Sequence, residues 1–200
     1  PAAAALMIAP VFLIDAFFTR GEFLPSDAAM SGSALFHFAW GVPAFVLIKV
    51  LAPAFFARED TKTPMRYALV SVVINTVLGA GLFFWMKSNG GAGFIGLTIA
   101  TSVAAWMNTA LLAMTLLARG WYTPGPRLVS GVVRAALATA IMSAAVWFML
   151  QNLPEIRAEL WDSRIASAAA IVFAGGVIYA FAALLTGAIR ISDIRQALRR

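Results

Sequence analysis

The sequence predicts an all-α, polytopic transmembrane helix bundle of six spans, and three observations predict it. Of its 200 residues, 62% are hydrophobic and only 12% charged, far from the half-apolar, quarter-charged balance of soluble domains. Six apolar stretches each approach the roughly 20 residues that cross a hydrocarbon core about 30 Å thick, and together they take up nearly the whole chain. Basic residues sit at the ends of these stretches and not in a contiguous stripe. The net charge of +6 therefore reads as a topology signal, with no nucleic-acid partner expected.

What is absent narrows the chemistry. The chain has no cysteine, which removes disulfides and thiolate chemistry and suits a bacterial membrane protein. Its single histidine, His37, rules out a multi-histidine metal site within the chain. No nucleophile–base arrangement, phosphate-binding glycine loop or metal-ligand spacing is present, so neither catalysis nor a metal or other cofactor is expected. The chain opens at Pro1 inside an apolar run, without the basic n-region of a signal peptide. A fragment cut within a helix is the expectation.

The first span is Pro1–Phe18, with Pro10 as a kink because an interior proline removes one backbone hydrogen bond. Asp15 lies near its end, and Thr19–Ala29 is a polar connector. Met30–Ala57 forms a long second span with Gly41, Pro43 and Pro53 as bend points. A charged loop, Arg58–Thr63, leads into the third span, Pro64–Met86, whose first-turn proline and upstream Asp60, Thr61 and Thr63 resemble a helix start. Lys87–Ala92 is a glycine-rich turn. The fourth span, Gly93–Leu117, runs into ARGWYTPGPR, where Trp121 and Tyr122 lie at the headgroup level. Leu128–Leu150 and Ile165–Ile189 complete the set. In Arg190–Arg200, Ile191, Ile194 and Leu198 share one side of a helix, as in a short helix resting on an anionic leaflet; a frayed basic end is the alternative.

Cytoplasmic loops carry the excess of Lys and Arg. One side collects Arg58, Lys62, Arg66, Arg119, Arg127, Arg134, Arg190, Arg195, Arg199 and Arg200. The other has Arg20, Lys87, Arg157 and Arg164 among the acids Glu22, Asp27, Glu155, Glu159 and Asp162. The first side is the predicted cytoplasmic one, so the 58–63 loop and the C-terminus face the cytoplasm. Small residues at four-residue spacing, Gly96–Ala100–Ala104 and Ala136–Ala140–Ala144, predict close helix approach, because lipid offers no hydrophobic force between helices.

Lys49 is the foremost candidate for function. It lies eight residues before Ala57, about 12 Å of helix, and so near the midplane. A charge there costs roughly 2.5–3.5 kcal/mol on insertion scales. Either it faces a water-filled cavity that attracts an anion, or it pairs with a carboxylate on a neighbouring helix. Asn75, Thr101 and Asn108, inside the third and fourth spans, are candidates for cation coordination or for bonds between helices. His37 has no acidic partner in its own span and reads as packed or interfacial.

The run LIKVLAPAFFAREDTKTP, Leu47–Pro64, resembles the signature of the MurJ (MviN) lipid II flippase family, part of the multidrug/oligosaccharidyl-lipid/polysaccharide exporter superfamily. GLTIATSVAAWMN (Gly96–Asn108) and YTPGP (Tyr122–Pro126) support it, and similarity in helix spacing extends over the chain. The resemblance implies the last six of fourteen spans: residues 1–119 as four helices of the C-terminal lobe, 120–127 as a cytoplasmic linker, 128–189 as an extra pair whose groove receives a lipid tail, and 190–200 as a basic tail. It implies an inner-membrane transporter that carries lipid II, the lipid-linked peptidoglycan precursor, by alternating access. Its partners would be lipid II, membrane lipids and an N-terminal lobe outside this sequence; the pyrophosphate-holding arginines of the family lie mostly in that lobe and in an earlier helix of the C-terminal lobe. Lys49 would serve the cavity, and Arg58, Glu59, Asp60, Lys62, Thr63 and Pro64 a cytoplasmic gate or hinge. A family cation site would draw on Asn75 and Thr101, but Gly79 stands where its carboxylate would be, which argues against sodium coupling. Another exporter of the superfamily, or a non-transporting scaffold for cell-wall assembly, are the alternatives.

Overall fold

A computed structural model describes residues 1–159 and 163–188. The predicted amphipathic tail Arg190–Arg200 and the carboxylate Asp162 lie outside the described residues. Nine helices are present among the described residues: α1 (Ala2–Ile8), α2 (Pro10–Phe18), α3 (Pro25–Ala39), α4 (Val42–Phe56), α5 (Lys62–Ser88), α6 (Gly93–Ala118), α7 (Pro126–Gln151), α8 (Leu153–Glu159) and α9 (Arg164–Leu185). Among the described residues, five stretches are long and apolar enough to cross a membrane, with α3 and α4 together making one of 32 residues. The sixth predicted span, Pro1–Phe18, is broken into α1 and α2 at Ala9 (φ −121°, ψ 38°). Pro10 has no N–H to continue the ladder, so the break falls just before it.

By packing, the chain divides into a unit of residues 1–25 with 124–200 and a unit of residues 26–123. In the first unit α7 lies against α9, with α1 against α7 and α2 against α9. The contact face of α7 is Ala138, Met142 and Val146, all buried, one helical turn apart. The stripe Ala136–Ala140–Ala144 is exposed, which corrects its expected role within this unit. The two stripes are 160° apart on the helix, and the one that buries Met142 and Val146 removes far more apolar area. Arg164 Nη1 meets Asp15 Oδ1 at 3.2 Å, tying the start of α9 to α2.

In the second unit α6 is the shared wall: α5 runs along its length and α4 packs on its other side, while α4 and α5 barely touch. The Gly96–Ala100–Ala104 stripe is buried as predicted. A Cβ on Gly96 would stand 2.8 Å from the Leu82 carbonyl carbon, and one on Gly93 would stand 2.9 Å from the Phe83 carbonyl oxygen. Backbones this close exclude any side chain at those positions.

The bend in the second span lies at Trp40–Gly41, near the middle of Pro25–Phe56. Gly41 N–H donates to the Phe38 carbonyl and Ala44 N–H to the Gly41 carbonyl, while Pro43 has no N–H to give to Ala39. The carbonyls of His37 and Trp40 thus lose their helical donors. Side chains of α6 replace them: Ser102 Oγ donates to His37 O at 2.8 Å and Trp106 Nε1 to Trp40 O at 2.9 Å. Gly41 permits the approach, since a Cβ there would stand 2.9 Å from Ser102 Cα.

In the full-length protein, Gly96→Ala is expected to lower thermal stability in detergent by about 1–3 kcal/mol, the range for overpacking a tight contact. Gly81, where a Cβ would have nothing within 4 Å, supplies the control: Gly81→Ala should leave the melting temperature unchanged or raised.

Candidate functional site

Four helices, α4, α5, α6 and α9, end in the same backbone motif. The residue after the cap in α5, α6 and α9, and the second residue after it in α4, has φ between 60° and 75°, and the next N–H reaches back five residues, the Schellman arrangement. At three of the ends the left-handed residue is glycine: Gly90, Gly120 and Gly187. At the end of α4 it is Glu59, with φ 60°. A non-glycine residue there carries a cost of order 1–3 kcal/mol, and it falls inside the charged loop singled out by its composition.

This motif turns Asp60 toward α5. Thr61 already has helical dihedrals (φ −80°, ψ −21°), so Asp60 acts as the cap: Thr63 N–H donates to Oδ1 at 3.0 Å and Thr63 Oγ1 to Oδ2 at 2.7 Å. Helix α5 therefore begins at Lys62 and not at Pro64; Pro64 sits in the first turn, where an absent N–H costs nothing. Arg119 Nη1 donates to the same carboxylate at 2.6 Å. The Schellman turn at Gly120 folds Trp121 back toward α4, where its ring lies edge-on to Phe55 with centroids 5.8 Å apart. Arg58 and Arg119 both place their guanidinium over that ring, at 4.9 and 4.7 Å. Phe55, Leu112 and Leu116 form the buried cluster beneath.

Arg58, Asp60 and Thr63 are thus joined with Arg119 and Trp121 in one assembly that ties the α4–α5 loop to the end of α6. Glu59 and Lys62 are exposed beside it. Arg119 and Trp121 are the residues that reading the sequence placed only as a topology charge and an interfacial aromatic; the helix-stop glycine at 120 is the signal that brings them back over α4.

Lys49 is elsewhere on α4. Ala44, Ile48, Leu51 and Phe55 face α6, and Lys49 projects from the opposite face, exposed, with no ion pair among the described residues. Thr101 Oγ1 lies 3.3 Å from Asn75 Oδ1 and 2.8 Å from Leu97 O, which links α5 to α6. A methyl on nearby Gly79 would meet the Leu97 side chain at 3.3 Å, so this glycine lies in the α5–α6 contact. Asn108 is apart from this pair. It is only 7% exposed, its Oδ1 has no hydrogen-bond partner among the described residues, and it floors a cleft between Ile48 and Ala52 of α4 and Met65 and Ala68 of α5.

The Asp60 carboxyl lies outside the membrane-spanning helices, and its pKa falls from 3.8 to about 2. The Thr63 hydroxyl is the largest cause, followed by the Arg119 guanidinium and the Thr63 N–H. A depressed carboxylate contributes stability that is fully present above its unfolded value and lost as pH falls through its folded value. Acid melting curves of the full-length protein should therefore show a component lost between about pH 4 and pH 2 that Asp60→Asn abolishes. Glu59→Gly removes the left-handed strain and is expected to raise stability by up to about 1 kcal/mol, read as a higher melting temperature.

The family model described as lipid II flippase MurJ matches residues 1–161. The probable lipid II flippase MurJ of Vibrio cholerae is 36% identical over 201 residues, covering 98% of this chain and 36% of the relative. That of Rhizobium meliloti is 36% identical over 202 residues, covering 100% of this chain and 37% of the relative. The lipid II flippase MurJ of Burkholderia cenocepacia is 30% identical, with coverages of 100% and 37%. The chain spans about a third of the length of the curated relatives it matches. An all-helical membrane protein by its fold, the chain belongs to the lipid II flippase MurJ family.

Proposed function

We propose that this chain is the C-terminal part of a flippase that moves undecaprenyl-pyrophosphate-linked peptidoglycan precursor across the bacterial inner membrane, making and breaking no bond. The observation that carries the reading is Lys49. An ammonium near the midplane is stable only beside water, a carboxylate or a ligand anion. Within residues 26–123 the whole α6-facing side of α4 is apolar, and Lys49 is on the other side with no acid beside it. Such a cation fits the wall of a substrate cavity completed by the rest of the protein. The family match and the names of the relatives support the substrate class.

In this reading residues 1–119 form four helices of the C-terminal lobe of an alternating-access transporter, and residues 128–189 form the extra helix pair. Arg58, Lys62, Arg66, Arg119 and Arg127 orient the 58–63 loop to the cytoplasm. There the Asp60–Arg119 pair and the Trp121 stack hold the α4–α5 loop as a gate element: Arg58, Asp60 and Thr63 form the clasp, with Glu59, Lys62 and Pro64 framing it. Asn75 and Thr101 serve as a bond between helices, and Asn108 awaits a partner from outside the described residues.

In a strain depleted of its flippase, full-length protein with Lys49→Ala should reach the membrane at normal levels and fail to restore growth, while Lys49→Arg retains part of the activity. Full rescue by the alanine variant would sink the cavity role.

A further inference from the structure

Lys49 points where α4 points, and α4 takes its direction at the Trp40–Gly41 break. A helix that ran straight through this region would return the His37 and Trp40 carbonyls to its own backbone donors, short of the one that Pro43 lacks. It would also strip Ser102 and Trp106 of their acceptors. The bent and straighter forms therefore differ in which groups of α6 are satisfied, and in hydrocarbon an unsatisfied donor has no water to turn to. The donors straddle the break. Ser102 and Trp106 hold carbonyls before it, at 2.8 and 2.9 Å, and Thr109 Oγ1 lies 3.0 Å from Ala44 O just after it. Their spacing of four and three residues places all three on one face of α6.

We propose that Trp106, with Ser102 and Thr109, is a set of positioning residues that holds α4 at this bend and so sets the direction of Lys49. The inference rests on the reading of Lys49 as a cavity cation, but the bend is measurable apart from transport. Residues 1–200 contain no cysteine, so in the full-length protein, once cysteines elsewhere are replaced, spin labels at Met30→Cys and Val50→Cys report the α3–α4 geometry by pulsed EPR. With the native α6 side chains, one narrow distance distribution is expected. Trp106→Phe keeps the ring and deletes the donor; combined with Ser102→Ala it should shift the bent-to-straight ratio by about fivefold to tenfold per bond removed. A second distance population would then appear, and translocation of lipid-linked precursor by the same variants without labels would slow. Thr109→Val alone is a milder variant should the double one fail to fold. A melting temperature that falls while the distance distribution stays single and unmoved overturns the inference and leaves the three residues a purely stabilising role. A second population appearing together with normal transport by Lys49→Ala supports the bend assignment and removes only the cavity reading.

Discussion

A backbone carbonyl in hydrocarbon must find a donor within the protein, and the unit of residues 26–123 is built around that requirement. Helix α6 meets it in two ways. Toward α5 it places the small residues Gly93, Gly96 and Ala100, where the two helices interlock backbone to backbone, with Leu97, Thr101 and Thr115 reaching across beside them. Toward α4 it offers Ser102, Trp106 and Thr109, whose donors reach the carbonyls around a break. One helix is therefore both a close-packed partner for α5 and a row of polar donors for α4. Because α4 and α5 each lean on α6 and scarcely on each other, a cleft remains between them with the amide of Asn108 at its floor.

At the rim of the membrane different forces govern. Asp60 accepts hydrogen bonds from Thr63 and Arg119 at once, and a carboxylate at a helix N-terminus also gains from the dipole there. The Trp121 ring carries two guanidinium groups and rests on Phe55. Arg119 is held by its carboxylate and Arg58 by the Ala54 carbonyl, so the two cations share the ring without both being left uncompensated. Glu59 is the strained joint of this assembly, where three comparable helix ends use glycine.

The spans were legible because crossing lipid demands a length and a hydropathy that few other structures need. Their ends were legible within a few residues for the same reason, except that the second span begins five residues early, at Pro25 inside the expected connector, and the capping by Asp60 moved the start of α5 two residues ahead of Pro64. The stripe of α6 was legible and that of α7 was not: alanines at four-residue spacing look alike in a sequence, and only the competing bulk of Met142 and Val146 decides which face packs. Pro10, Pro43 and Gly41 marked the breaks, whereas Pro53, also expected as a bend point, lies inside the unbroken α4. What satisfies the bend at Trp40 could not be read locally, since its donors lie 64 to 66 residues away and a serine or tryptophan in an apolar helix has many uses. In the loop, charge density marked Arg58, Asp60 and Thr63, while their partners Arg119 and Trp121 came into view only through the turn at Gly120.

The donors on α6 have a consequence for the order of biosynthesis. His37 leaves the ribosome 65 residues ahead of Ser102, and Trp40 precedes Trp106 by 66. At about 5–20 residues per second, the broken helix exists for several seconds before α6 is made. During that interval its midplane carbonyls have no donor from α6, and the nascent span must keep to a straighter form or stay beside the water and polar groups of the insertion machinery. The α6 bonds at the break are thus formed late, when the fourth hydrophobic helix of this sequence arrives beside the second.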